Sequence, residues 1–173
     1  FGAHDVAILD GGIAKWKAEG RPITQGKETL RHRHFTVWQD DKNVRTKAHV
    51  LANLHSKDEQ VVDARGAKRW SGEEADPRPG MASGHIPGSY NVPFTEVYNA
   101  DGTFKDPAAI RATFEAAGVD MGKPVITSCG SGVTACVLIF AMHLAGKDDA
   151  ALYDGSWTEW GNDPDTPKAV KTA

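Results

Sequence analysis

The sequence predicts an α/β domain with a central, mostly parallel sheet flanked by helices. Two observations carry this. From residue 35 onward short apolar runs alternate with segments of helical periodicity, and one buried-strand pattern runs through a glycine-bearing loop into a strongly apolar helix. In order, residues 35–38 (FTVW) alternate and read as a strand. Thr46 is placed to cap a helix carrying Val50, Leu51 and Leu54 on one face. Residues 60–64 form a buried strand. Asp106-Pro107 starts a helix, with Asp as N-cap and Pro at the first position, and Gly118 stops it. Ile110 and Phe114, four apart, mark its buried side. Residues 124–128 are a strand, 133–145 an apolar helix, and 150–153 a closing strand.

The chain has 173 residues, enough for one domain with extra segments. Hydrophobic residues make up 40% and charged residues 25%, a balance typical of soluble globular chains. A net charge of -3 gives no reason to expect nucleic acid or an anionic membrane as partner. The longest apolar run, residues 135–142, falls well short of the ~18 residues a membrane span needs. Two cysteines and no secretory signal point to a reducing compartment, the cytoplasm. Because the chain begins at Phe1 without a methionine, that expectation does not reach any targeting segment before it.

Segment 2–16 (GAHDVAILDGGIAKW) resembles segment 146–160 (GKDDAALYDGSWTEW). Gly2 matches Gly146, Asp5 matches Asp149, Asp10-Gly11 matches Asp154-Gly155 and Trp16 matches Trp160, at a constant offset of 144 residues. Each copy reads as a short strand, an Asp-Gly turn and a tryptophan packing back. The offset is about one domain length, so residues 1–20 are expected to be the tail of a preceding sister domain. Residues 21–34 are polar and aperiodic, as in an interdomain linker. His32 and His34 lie there without a carboxylate or cysteine beside them, so they are read as solvated, and no metal is expected.

The chemistry is concentrated in residues 124–135, PVITSCGSGVTA. Cys129 falls at the carboxyl end of a buried strand, the edge where open parallel sheets place their ligands. Gly130 and Gly132 are expected to free the backbone so that successive N–H groups converge on one point, and the following helix adds the positive end of its dipole. A thiolate is stabilised there, so the Cys129 pKa should fall below that of a free thiol. Ser131 and Thr134 add hydroxyls at the rim. A phosphatase-type loop would require an arginine six positions after the cysteine, where Ala135 stands. A zinc or redox pair would prefer two intervening residues, and Cys129 and Cys136 have six. Cys136 is expected to be a small buried hydrophobe within the helix. Sulfur transfer and an inert buried cysteine both stay open on the residues alone.

The octapeptide CGSGVTAC, with YDGSWTEW after it and VVDAR (61–65) and GHIPGSYNVPF (84–94) before it, resembles the second domain of the 3-mercaptopyruvate sulfurtransferases, in the rhodanese family. The resemblance covers residues 35–161 and implies a rhodanese-like fold, with residues 162–173 as a C-terminal tail. It implies Cys129 as the nucleophile that carries sulfur as a persulfide and Ser131 as a catalytic partner that polarises substrate or relays a proton. Gly130, Gly132, Val133 and Thr134 form the binding loop. No cofactor is implied. Thiosulfate-preferring relatives resemble one another in having Arg-Lys directly after the cysteine, where this chain has Gly130 and Ser131. Such a neutral loop disfavours a dianion. The resemblance assigns the carboxylate of mercaptopyruvate to Arg69 and Arg78, whose planar forks suit it. These lie in residues 65–84, a stretch rich in Gly, Pro and charge and read as an extended functional loop. Asp63 and Arg65 are expected to fix the turn after a strand, and His85 to stabilise a turn. The partners implied are a small-molecule sulfur donor, a thiol acceptor such as thioredoxin, and the absent N-terminal rhodanese domain. Thiosulfate sulfur transfer and a non-catalytic rhodanese-like binding module are the alternatives.

Overall fold

The structure is a computed structural model that describes residues 5–27, 29, 32, 34–38 and 41–171. Among the described residues five strands form one sheet: β1 (Val44–Arg45), β2 (Gln60–Asp63), β3 (Tyr90–Asn91), β4 (Val125–Ser128) and β5 (Ala150–Tyr153). They are all parallel, in the order β1-β5-β4-β2-β3, with Val61 opposite Ile126 and Thr127 opposite Leu152. Parallel neighbours require crossovers, and the helices that supply them cover both faces of the sheet. These helices are α2 (Lys47–Ser56), α4 (Pro107–Ala116) and α5 (Val133–Leu144). Successive strand residues therefore feed two cores. Val62 and Val125 join Ile110, Phe114, Leu138 and Met142 on one side. Val61 and Ile126 join Val50, Ile86, Tyr153, Trp157 and Trp160 on the other. With both faces covered, the central strands carry consecutive apolar residues, Val61-Val62 in β2 and Val125-Ile126 in β4.

Helix ends follow the local chemistry. Thr46 caps α2 in a reciprocal box: its hydroxyl accepts the His49 N–H (3.3 Å), and His49 Nδ1 accepts the Thr46 N–H (3.2 Å). The Asp106 carboxylate accepts the N–H groups of Ala108 and Ala109, each at 3.0 Å, at the start of α4. Among the described residues no helix is long and apolar enough to cross a membrane.

Three expectations are corrected. Residues 35–38 form no strand, and Phe35, Val37 and Trp38 are exposed. The sheet position beside β5 is taken by Val44–Arg45, so the alternating segment has no strand to pair with. Residues 6–9 likewise form no strand, and Val6, Ile8 and Leu9 are exposed. The repeat instead survives as an Asp-Gly turn entering a short helix: α1 (Gly12–Ala18) in the first copy and α6 (Ser156–Trp160) in the second. Its Gly2 lies outside the described residues. The Asp10 carboxylate accepts the Phe104 N–H (2.9 Å), and Lys15 pairs with Asp101 (2.6 Å), tying the first copy to the domain. The 65–84 stretch is not wholly irregular, because it contains α3 (Ala67–Ser71).

Residues 162–171 lie back across the domain. Trp160 Nε1 donates to Pro167 O (2.8 Å), Lys171 N–H to Ser71 O (2.9 Å), and His85 pairs with Ala169 in an antiparallel bridge. Gly84 is needed under that bridge, since its φ is 108° and a Cβ would sit 2.2 Å from Ala169 O. Of the stretch expected to be a linker, the described residues 21–27, 29, 32 and 34 are exposed and in neither helix nor strand; 28, 30, 31 and 33 lie outside the described residues.

Candidate active site

Cys129 follows the last residue of β4, a central strand, and its loop runs into α5 through Gly132. The residue is 1% exposed. Gly132 takes a φ of 83°, and a Cβ there would crowd Asp154 O and Oδ1 at 3.0 Å, so any other residue would be both strained and blocked. Gly130 differs from expectation, because its φ is not left-handed. What it supplies is room. A Cβ at Gly130 would lie 3.3 Å from Arg78 Nη2 and 3.7 Å from Arg69 Nη2, so both guanidinia come in over the residue next to the thiol.

The sulfur sits where donors converge. Burial alone would push the Cys129 thiol up. Hydrogen bonds from the Thr134 hydroxyl and from the amides of Ser131, Ala135 and Thr134 outweigh it and bring the pKa below the usual thiol value. These amides belong to the loop and the first turn of α5, a twelve-residue helix whose dipole acts in the same direction. The Ser131 amide thus faces the sulfur, while the residue itself is exposed at the rim, as is Val133.

The turn between β5 and α6 holds this loop from behind. Cys129 N–H donates to Ser156 Oγ (3.1 Å), whose hydroxyl donates to Tyr153 O (2.8 Å). Trp157 N–H donates to Cys129 O, and Thr158 N–H to Gly130 O, each at 2.9 Å. Ser156 is fully buried with a φ of 49°, backbone strain that the surrounding bonds sustain. Sequence reasoning gave YDGSWTEW no site role; its signals were its place in the repeat at offset 144 and beside the loop in the family resemblance.

Arg69 lies on α3 and Arg78 in the following loop. Sequence reasoning also missed Asp76, which lies between them. Arg69 Nη2 donates to Asp76 Oδ2 (2.6 Å); Arg78 donates through Nε (2.8 Å) and its backbone N–H (3.0 Å) to Oδ1, and through Nη2 (2.9 Å) to Oδ2. The Asp76 side chain is 1% exposed, against 26% for Arg69 and 34% for Arg78. The Arg78 guanidinium, its amide and Arg69 overcome the opposing effect of burial and hold the Asp76 carboxyl well below the usual carboxylate range. Arg78 Nη1 also donates to Gly130 O (3.0 Å) and contacts the Thr158 hydroxyl. Arg69 Nε is buried with no hydrogen-bond partner.

A cavity of about 220 Å³ is lined by Arg65, Arg69, Phe94, Cys129, Gly130 and Ser131, with Val133 and Thr134 at its helix side. Arg78 flanks it at Gly130, and Gly132 lies buried beneath, against Asp154. Two groups stand apart. Cys136 is exposed, not buried as expected. The core side of α5 is Ala135, Leu138, Ala141 and Met142, and position 136 falls on the flank with Ile139, Phe140 and His143. Its thiol is pushed up by desolvation, Cys129 and Asp154. His85 stacks on Trp70 at 4.1 Å, and its Nδ1 lies 2.7 Å from Trp70 O, so it donates there and braces α3.

The rhodanese-like domain family matches residues 46–163. The chain is 44% identical over 160 residues to 3-mercaptopyruvate sulfurtransferase of Rattus norvegicus, an alignment covering 92% of this chain and 54% of the relative. It is 43% identical over 161 residues to thiosulfate sulfurtransferase of Bos taurus, again 92% and 54%. In structure it matches SseA of Escherichia coli, described as a 3-mercaptopyruvate sulfotransferase with the rhodanese fold, at a TM-score of 0.79 and 37% identity, covering 91% of this chain and 58% of that one. The chain therefore spans between half and two thirds of the length of these relatives. With the parallel sheet, the Cys129 loop at its carboxyl edge and this match over most of its length, the chain belongs to the rhodanese-like domain family.

Proposed function

We propose that this chain is the catalytic domain of a 3-mercaptopyruvate sulfurtransferase and carries sulfur as a persulfide on Cys129. The observation that carries this reading is a thiol of lowered pKa, held by loop amides and Thr134, with two guanidinia beside it and no cation within the loop itself. The Cys129 thiolate attacks the substrate thiol sulfur, and the carbon–sulfur bond breaks to leave pyruvate enolate. The proton of the substrate thiol passes to the enolate carbon, giving pyruvate and an anionic persulfide. An acceptor thiolate, such as that of thioredoxin, or cyanide then takes the outer sulfur and regenerates the Cys129 thiolate. The amides around the sulfur hold the persulfide charge. The Ser131 hydroxyl, at the open rim, polarises the substrate ketone or relays that proton. Arg69 and Arg78 take the carboxylate.

The relatives named for mercaptopyruvate and for thiosulfate are almost equally similar, so identity does not separate the two donors. Charge does: neutral Gly130 and Ser131 follow the cysteine, which favours the monoanion. The repeat at offset 144 and the relatives' greater length support reading residues 1–20 as the end of a preceding rhodanese-like domain, 21–34 as linker and 35–161 as the catalytic domain, with that preceding domain completing the site. Two free cysteines fit a reducing compartment such as the cytoplasm.

Mass spectrometry after exposure to mercaptopyruvate or thiosulfate, run with and without an added N-terminal domain, tests this reading. Cys129 is expected to gain one sulfur faster from mercaptopyruvate, with pyruvate released. A thiosulfate preference would overturn the donor assignment, and no persulfide from either donor would leave a binding module. Arg69→Ala and Arg78→Ala should each weaken mercaptopyruvate use by ~1.5–3 kcal/mol, the range for hydrogen bonds to charged groups. Unchanged kcat/KM would make them surface charges.

A further inference from the structure

We propose that Asp76 is a specificity-determining residue: by cancelling one of the two guanidinium charges beside Cys129, it tunes the site to a singly charged sulfur donor. The inference rests on the sulfur-transfer reading above. Asp76 makes no contact with the cavity, and its role is exerted through Arg69 and Arg78, so it is a positioning residue.

The geometry is that of a buried charge set between two half-open ones. Asp76 is almost fully enclosed, while both arginines keep a quarter to a third of their side chains exposed. Four hydrogen bonds run into its two oxygens, three of them from Arg78. The trio carries one net positive charge, presented 3.3 and 3.7 Å from the Cβ position of Gly130. Nearby Arg65 adds nothing to that sum, because Asp63 pairs with it at 2.7 Å. The free donors are unevenly shared: Arg78 already spends Nε, Nη1 and Nη2 on Asp76 and Gly130 O, whereas Arg69 gives Asp76 one bond through Nη2 and keeps its other N–H groups, the buried Nε among them. One unit of net charge, with donors free on Arg69, matches one carboxylate. A dianion would bring a second negative charge, beyond the one net positive charge of the trio, to a site that also holds the Cys129 thiolate.

Asp76→Asn keeps the size of the side chain and one acceptor oxygen while leaving both guanidinium charges uncancelled. The ratio of Cys129 persulfidation rates, thiosulfate over mercaptopyruvate, should rise by about five- to tenfold, given the distances and the part-exposed arginines. That rise should shrink in high salt. Asp76→Glu, which keeps the charge, should return the ratio towards that of the unsubstituted chain. Equal losses with both donors would make Asp76 a mere tether and overturn the proposal.

If Asp76→Asn does not fold, the unsubstituted chain still decides. Pyruvate, a monoanion, should protect Cys129 from iodoacetamide at severalfold lower concentration than sulfate, a dianion, at matched ionic strength. Equal or better protection by sulfate overturns the charge assignment. The two proposals fail separately: absence of persulfide from either donor defeats sulfur transfer, whereas the protection comparison reads the anion preference without any turnover.

Discussion

Cys129→Ser is expected to abolish persulfide formation and pyruvate release while leaving the fold in place. Serine fits the space, and its oxygen can accept the same bonds from Thr134 and the loop amides that the sulfur accepts. The fold should therefore report almost no change. Chemistry should report a complete loss, because the hydroxyl is not a thiolate at neutral pH and cannot carry sulfane sulfur. The control is Cys136→Ala. That thiol is exposed on the flank of α5 and pushed up rather than down, so most of the activity should remain. Both variants are read by intact-mass detection of the added sulfur and by pyruvate release. Transfer that survives loss of Cys129 but not of Cys136 would exchange their roles.

Asp63→Ala should produce the largest loss of stability. Asp63 and Arg65 are buried at the end of β2, joined by Arg65 Nε and Nη2 at 2.7–3.1 Å, and Oδ1 also accepts the Arg65 N–H (2.9 Å). Arg65 Nη2 further donates to Gly84 O (2.8 Å), and its guanidinium lies 4.4 Å from the Trp157 ring centroid. Removing the carboxylate strands a buried cation, which costs about 3–5 kcal/mol. For a chain of this size that lowers Tm by roughly 6–20 °C. Thermal unfolding followed by circular dichroism measures it. A Tm within about 2 °C of the unsubstituted chain would mean that water reaches the guanidinium and the pair is not holding the turn. Because Arg65 also lines the cavity, persulfidation should fall along with stability.

Much of the architecture could be read from local chemistry. Thr46 and Asp106 cap the helices expected of them, since a cap is a bond between a side chain and amides two or three residues on. The strands at 60–63, 125–128 and 150–153 are legible because a strand covered on both faces carries consecutive rather than alternating apolar residues, as in Val61-Val62, Val125-Ile126 and Ala150-Ala151. The segments at 6–9 and 35–38 show the limit. They have strand-like composition, but a strand exists only where a neighbour offers its amides; for 35–38, Val44–Arg45 holds the place beside β5. Cys136 failed for a related reason: α5 is apolar almost all round, so its pattern does not say which side faces the sheet.

The sequence by itself determined the α/β class, the loop in which a thiol meets converging amides, and the absence of a cation in the two positions after Cys129. These are local properties, set by neighbours within a turn or two along the chain. Tertiary structure alone decided what surrounds that loop. Ser156 came to receive the Cys129 amide across 27 positions, and Arg78 to meet Gly130 across 52, because β5–α6 and the 72–84 loop fold to the same sheet edge. Asp76 is the clearest instance. In the sequence it is one carboxylate in a polar turn, and only the fold buries it between the two guanidinia that flank the thiol loop.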